Sequence, residues 1–500
     1  MTNEIIPPLS RRQFGVGLAM LTLAGASDAA KERCPGDTFP KWASTLQTDL
    51  ERMAKDLTAR LQPWKGPDRL FEPEDFGFRA GQEGLATRAI QAAIDAAAKS
   101  GGGTVRLSQG DYVSGTIDLR SNVRLDIARG ARLLASLDLK DYPERIASRK
   151  TVMDSNMGMN QSLIFAEGCQ DISLSGEGTI DGRGTKQNFP GAETVGATPG
   201  RPFLIRVLDS TRVHVRDLNL RDSPCWMQNY LNCEDVLIED LKVDNQANFN
   251  NDGLDIDGCR RVIVRNCFIN SGDDALCFKG ASQRTTEQVL IENCRLYTSC
   301  NGIKFGTDSQ GDFRRILVRN LELGGPAPEM RSLNRRRADS GISWEVVDGG
   351  TVEDIFATQI NIVRAESPLF LRLGDRGRVR PENPRPAPGH LRRIVFDRIT
   401  GNDNGVRGSY FIGIPDRHIE DVALRDLKLE VGAASQAVPA ESTIPEMRAD
   451  YPDAHMIPHP VPAYGLWTRD VTRLSLVRVK VTPQSSEARP ELQLTGLCSA

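Results

Sequence analysis

The chain has 500 residues, with 63 lysines and arginines against 66 aspartates and glutamates, a formal net charge of −3. No basic excess exists to neutralise phosphates, which argues against nucleic acid as a partner. No stretch after the amino-terminal thirty residues is apolar and long enough to span a bilayer, so the mature chain is expected to be soluble.

At the amino terminus, Ser10-Arg11-Arg12-Gln13-Phe14 precede an apolar run over residues 15–26, followed by the small residues around Ser27-Asp28-Ala29. The run is too short to cross a membrane, and the pattern resembles a twin-arginine export signal over residues 1–30, with a periplasmic or secreted destination. A further helical segment is expected within 31–70. Residues 85–99 (LATRAIQAAIDAAAK) place Ile90, Ala93, Ile94 and Ala97 on one helical face and run into Gly101-Gly102-Gly103. That helix is predicted to cap the open end of a stack of strands, since an uncovered end would invite edge pairing.

The strands themselves are marked by a repeat. VIVRNCFI at Val262 returns as VLIENCRL at Val289 and ILVRNLEL at Ile316, so 289 − 262 and 316 − 289 both give 27 residues. Weaker copies start at Val213, Val236, Val422 and Leu474. Each is short, alternates apolar with polar residues and ends in Asn, Asp or Gly, as a strand leading into a turn does. A strand recurring with such a period cannot bury its apolar face alone. Stacked coils of an all-β, single-stranded parallel β-helix bury it, and such a solenoid makes one domain of residues 71–500 reasonable. Residues 433–462, rich in Pro, Ser and Ala and without periodicity, read as a long loop before a last coil starting near Tyr464.

Ten cysteines are too few to scaffold a chain of this length. Cys267 and Cys294 stand 27 apart at equivalent repeat positions and are expected to stack inside the coil as free thiols. Cys225 with Cys233, or Cys34 with Cys498, could pair after export. None has metal-ligand spacing.

Strand alternation also allows the faces to be assigned. In GLDID, DALCFK, GIKFG and GISWE, the pairs Leu254/Ile256, Leu276/Phe278, Ile303/Phe305 and Ile342/Trp344 match in register and point inward. Asp255, Cys277, Lys304 and Ser343 then form one outward column. Asp257, Lys279, Gly306, Glu345 and Arg372 form another. At the start of the same strands Asp252, Asp274 and Asn301 share a column, with Asp273 beside it. Coils lie about 4.8 Å apart, so these carboxylates crowd one patch. Crowding raises at least one carboxyl pKa, leaving an acid beside an ionised partner, which is what glycoside hydrolysis needs. Turn formation alone would explain any single Asp here, but not negative charge stacked in neighbouring coils.

On these residues the chain resembles glycoside hydrolase family 28, the polygalacturonases and their relatives, from about Phe76 to at least Glu345. The family's Asn-Thr-Asp matches Asn250-Asn251-Asp252, with Asn for Thr, and its Gly-Asp-Asp matches Gly272-Asp273-Asp274. The resemblance implies a right-handed β-helix. It also implies a general acid in Asp273, with Asp252 and Asp274 activating water, and inversion of the anomeric centre across carboxyls about 6.5 to 9.5 Å apart. Two departures stand out. The family's Gly-His-Gly falls on Cys300-Asn301-Gly302, and its Arg-Ile-Lys, which grips a uronate carboxylate, falls on Ser343-Trp344-Glu345. Plain homogalacturonan should therefore bind poorly unless Lys279, Lys304, Arg372 or Arg376 supplies cations. Asn301 is a further candidate for the substrate site, and Trp467, outward by register, could stack on a sugar.

These readings favour an exported inverting hydrolase of an acidic polysaccharide, with rhamnogalacturonan a candidate. A monomer without cofactor or metal is expected. A polysaccharide lyase on the same fold, using Lys279 or Lys304 as proton abstractor and calcium held by the aspartates, is the alternative, with a non-catalytic carbohydrate-binding β-helix behind it.

Overall fold

Val262, Val289 and Ile316 pair directly with one another in neighbouring parallel strands, as the 27-residue period requires. The computed structural model of the protein describes residues 38–64, 66–146, 160–191, 200–333, 335–378, 384–434 and 444–495. The signal-like segment, Cys34 and Cys498 lie outside these. Every pairing between the named strands is parallel, and the strands assemble into one sheet of 19 and another of 12. The architecture is an all-β, single-stranded right-handed parallel β-helix with a helix over its amino-terminal end.

Longer strands turn a corner of the coil without breaking. At that corner Asn266, Asn293 and Asn320 adopt left-handed φ values of 55°, 56° and 55°, a conformation Asn tolerates better than most residues. Their amides form a ladder, Asn293 donating to Asn266 at 3.3 Å and Asn320 to Asn293 at 2.7 Å. Inside the coil, Ile256, Phe278, Phe305, Trp344 and Leu371 stack in register. The Phe305 and Trp344 rings lie parallel at 5.0 Å. Cys267 and Cys294 stack as free buried thiols, and Cys225 and Cys233 are free as well.

Two helices cover the β-helix in different ways. Helix α2 (Thr87–Lys99) buries Ala89, Ile90, Ala93, Ile94 and Ala97 against the first coils, closing the end of the core. Helix α1 (Lys41–Arg60) instead lies along an outer face. Its Leu46, Leu50, Met53 and Leu57 pack on Leu237, Ile263, Leu290, Leu317, Phe356, Val395 and Ala423. These seven form one outward column, paired strand to strand. A helix of 20 residues rises about 30 Å, and seven rungs spaced about 4.8 Å span about 29 Å, so helix and column match in length.

Candidate active site

The 12-stranded sheet carries the site. Its register follows the expected columns: Asp255 pairs with Cys277, Cys277 with Lys304, Lys304 with Ser343, and Glu345 with Arg372. The turns before these strands bring Asp252, Asp273, Asp274 and Asn301 together. Asn251, fully buried, fixes the first turn. Its Oδ1 accepts from the backbone N–H of Ala247 and Asn248, and its Nδ2 donates to the carbonyls of Ser223 and Cys225. The second turn is held by the Ser271 and Thr298 hydroxyls, both donating to the Asp273 carbonyl.

The carboxyls differ in surroundings. Asp252 and Asp274 are buried, whereas Asp273 is half-buried and accessible. Burial, and then the neighbouring Asp274, push the Asp273 carboxyl up to about 6. Burial first, then Asp255 and Asp273, push Asp252 well above the usual carboxylate range. Beneath it lies Asp255, fully buried and raised by burial to about 8 against the pull of Lys279. Lys279 stands 3.6 Å from Asp252, 3.5 Å from Asp255 and 4.6 Å above the Trp226 ring. On the other side, Asn301 donates to Asp274 Oδ1 at 2.7 Å and accepts from the Ser340 hydroxyl at 2.6 Å. It is wholly buried, so it serves Asp274 and not a sugar.

Four further expected substrate contacts are corrected by the structure. Residues 444–463 fold back across the sheet, and Ile444, Ala454, Ile457, Val461 and Ala463 pack on Phe370, Tyr410, Ile412 and Trp467. Trp467 is therefore core and cannot stack on a sugar. Arg372 clamps the segment by donating to the carbonyls of Glu446 and Met447, each at 2.7 Å. Arg376 is bound to Asp348 and to the Thr307 carbonyl. Glu345 has no exposed surface, and burial drives its carboxyl well above the usual range, so it presents no negative charge to the cleft. The strand register is as expected, but the covering segment turns these outward positions into an interior.

Residues not singled out in the sequence complete the site. Asp453, from the covering segment, meets Lys304 at 2.6 Å, and Lys304 lies 3.5 Å from Asp274. Asp339, buried and raised by burial to about 7, is gripped by Arg335 at 2.5 and 2.8 Å and faces His455 Nδ1 at 3.5 Å. Its backbone N–H donates to the carbonyl of Cys300, the residue just before Asn301. No periodic signal marks Asp453 or His455, because their partners are some 150 and 116 residues away (453 − 304 = 149; 455 − 339 = 116).

Cys300 Sγ and oxygens of Asp273 and Asp274 lie within 4.8 Å of one another. The Lys304 ammonium, 3.5 Å from Asp274, already sets a positive charge against this group, which disfavours a cation there. A separate groove of about 340 Å³ under the end of α1, lined by Arg60, Trp64, Arg212 and His214 among others, has its charges paired with Asp235, Asp171 and Glu239.

Residues 146–323 match the model of glycosyl hydrolases family 28. A probable polygalacturonase of Vitis vinifera is 25% identical over 382 residues, covering 73% of this chain and 75% of that one. Exopolygalacturonase X-1 of Emericella nidulans is 28% identical over 327 residues, 59% of this chain and 71% of that one. Among solved structures, an exopolygalacturonase from Thermotoga maritima superposes with a TM-score of 0.65 at 17% identity, covering 86% of this chain and 96% of that one, which shows the shared fold. The protein is thus a glycoside hydrolase built on a parallel β-helix. Within that class it is similar to the polygalacturonases of family 28.

Proposed function

We propose that the protein is an exported, inverting hydrolase of a galacturonic-acid-containing polysaccharide, with Asp273 as general acid and Asp252 and Asp274 activating the attacking water. The observation that carries this reading is the contrast in exposure among the three carboxyls, since Asp252 and Asp274 are buried. Asp273 alone is accessible and is shifted to about 6, where an acid still protonated at mildly acidic pH can give its proton to the departing oxygen. Lyase chemistry is disfavoured because Lys279 and Lys304 are both held as ammonium ions. Burial works against their charge, but carboxylates, with the Cys277 thiol beside Lys279, outweigh it and raise both well above the usual lysine range.

Specificity differs from that of plain homogalacturonan hydrolysis because positions 343 and 345 carry no cation. Arg335, Arg407 and His455 gather around Asp339, whose backbone N–H donates to the Cys300 carbonyl. They favour a substrate whose acidic sugars are spaced or oriented differently, such as rhamnogalacturonan. Reducing-end assays of the purified protein on polygalacturonate, rhamnogalacturonan and other acidic glycans test this. The expected result is faster release from a mixed neutral and acidic backbone. Fastest hydrolysis of polygalacturonate would overturn the specificity, and an unsaturated product would overturn the hydrolase mechanism.

A further inference from the structure

Lys304, 3% exposed, is enclosed by three carboxyl groups drawn from three parts of the chain: Asp274 from the catalytic turn, Glu345 from the same sheet and Asp453 from the covering segment. Its ammonium lies 2.6 Å from Asp453 and 3.5 Å from Asp274. Three ionised carboxyls around one buried ammonium would leave a net charge of about −2 in the interior, which is costly. A proton on Glu345 removes one of those charges. It also supplies an O–H to Asp453, with which the Glu345 carboxyl is in hydrogen-bonding contact. Glu345 Oε1 accepts from the Ser343 hydroxyl at 2.6 Å.

We infer that Glu345, Asp453 and Lys304 form a buried relay that positions Asp274 for water activation, making residues 444–463 part of the catalytic apparatus. The inference rests on the reading of Asp274 as a water-activating carboxylate. This chain carries no cation at position 345 but one at 304, whose strand position pairs with Ser343 in the next coil. The cation thus faces the catalytic turn and not the substrate. Glu345 and Asp453 never touch substrate in this arrangement and act as positioning residues. Lys304 divides itself between Asp453 and Asp274, so weakening one contact strengthens the other. Asn301 holds the remaining oxygen of Asp274.

The charged and titratable groups facing the relay are Tyr451 on Lys304, His455 and Asp339 on Asp453, and Arg372 on Glu345. Around Asp274 stand Asp252, Asp255, Asp273, Lys279 and Cys300. Because these groups titrate together, the acid limb of kcat/KM belongs to the cluster and its displacement is the quantity to read.

The experiment measures that limb on the best substrate for wild type, Asp453→Asn, Glu345→Ala and Glu345→Gln, with thermal melts of each. Asp453→Asn releases Lys304 toward Asp274 and moves the limb to lower pH, with kcat reduced about tenfold and KM within about twofold. Glu345→Ala removes the donor to Asp453, tightens its hold on Lys304 and moves the limb the opposite way, by about half a pH unit. Glu345→Gln restores a donor and returns the limb toward its wild-type position. Limbs that stay in place, or shift in the same direction for Asp453→Asn and Glu345→Ala, overturn the relay. Should Asp453→Asn not fold, the Glu345 pair decides alone, since a purely structural role gives lower melting without the displacement and rescue. Asp274→Asn is the separate control. If it keeps wild-type kcat, the assignment of Asp274 fails; if it is inactive while the limbs do not move, only the relay fails.

Discussion

A carboxyl whose neighbours are buried carboxyls works only within a pH window. Asp273 must be protonated to give up a proton, so activity should fall as pH rises through about 6, the value to which burial and Asp274 push it. Asp273→Asn should lower kcat by about 10²- to 10⁴-fold with little change in melting, because an amide has no proton to transfer. Near wild-type turnover in that variant would remove Asp273 from the mechanism. Asp255 bears on stability in the sense fixed by linkage. Its folded value of about 8 lies above that of an exposed aspartate, so its stabilising contribution is full at low pH and is lost as pH rises through about 8. Replacing it with Asn should flatten that decline in a series of melts between pH 4 and 9. Position 345 shows where sequence reasoning stops. Its register is legible, but a like-charge clash with substrate is the expectation it yields, and the buried carboxyl found there cannot produce one. Installing the related enzymes' cations with Ser343→Arg and Glu345→Lys should therefore not create a uronate grip. It would bury a second cation beside Lys304, destabilising the protein by about 3–5 kcal/mol, as measured by denaturant unfolding. A stable double variant with faster polygalacturonate hydrolysis would contradict that placement.

At the scale of elements, strands and capping helix are readable because each obeys a local period: two for the strands, 3.6 for α2, and 27 between the central coils that start at Val262, Val289 and Ile316. The face covered by α1 is readable in part. The outward Ile263, Leu290 and Leu317 repeat at the same spacing, and three apolar residues pointing away from the core call for a cover. Residues 444–463 give no such sign. Their anchors are single contacts made across long sequence separations, by Arg372, Tyr410, Arg407 and Lys304, and no period encodes them. The role of α1 is testable apart from catalysis. Leu50→Ala should cost about 2–5 kcal/mol, and loosening of α1 should expose a continuous apolar stripe prone to self-association. Light scattering should rise while kcat per folded molecule holds, since α1 covers the 19-stranded sheet and the carboxylates belong to the other. A lower kcat without lower melting would contradict the separation of the two faces.

Across the described coils, coil spacing sets the spacing of charges. Placing Asp252 and Asp274 in adjacent coils, with Asp273 at the exposed edge, fixes chemistry by architecture. The central claim is that these carboxyls hydrolyse a glycosidic bond with a water delivered from the side opposite the leaving oxygen. Proton NMR of the first product formed from an oligosaccharide substrate, recorded before mutarotation, tests it most directly. Initial product of inverted anomeric configuration is expected in the wild type, and none above background in Asp273→Asn. Initial product of retained configuration would contradict the claim.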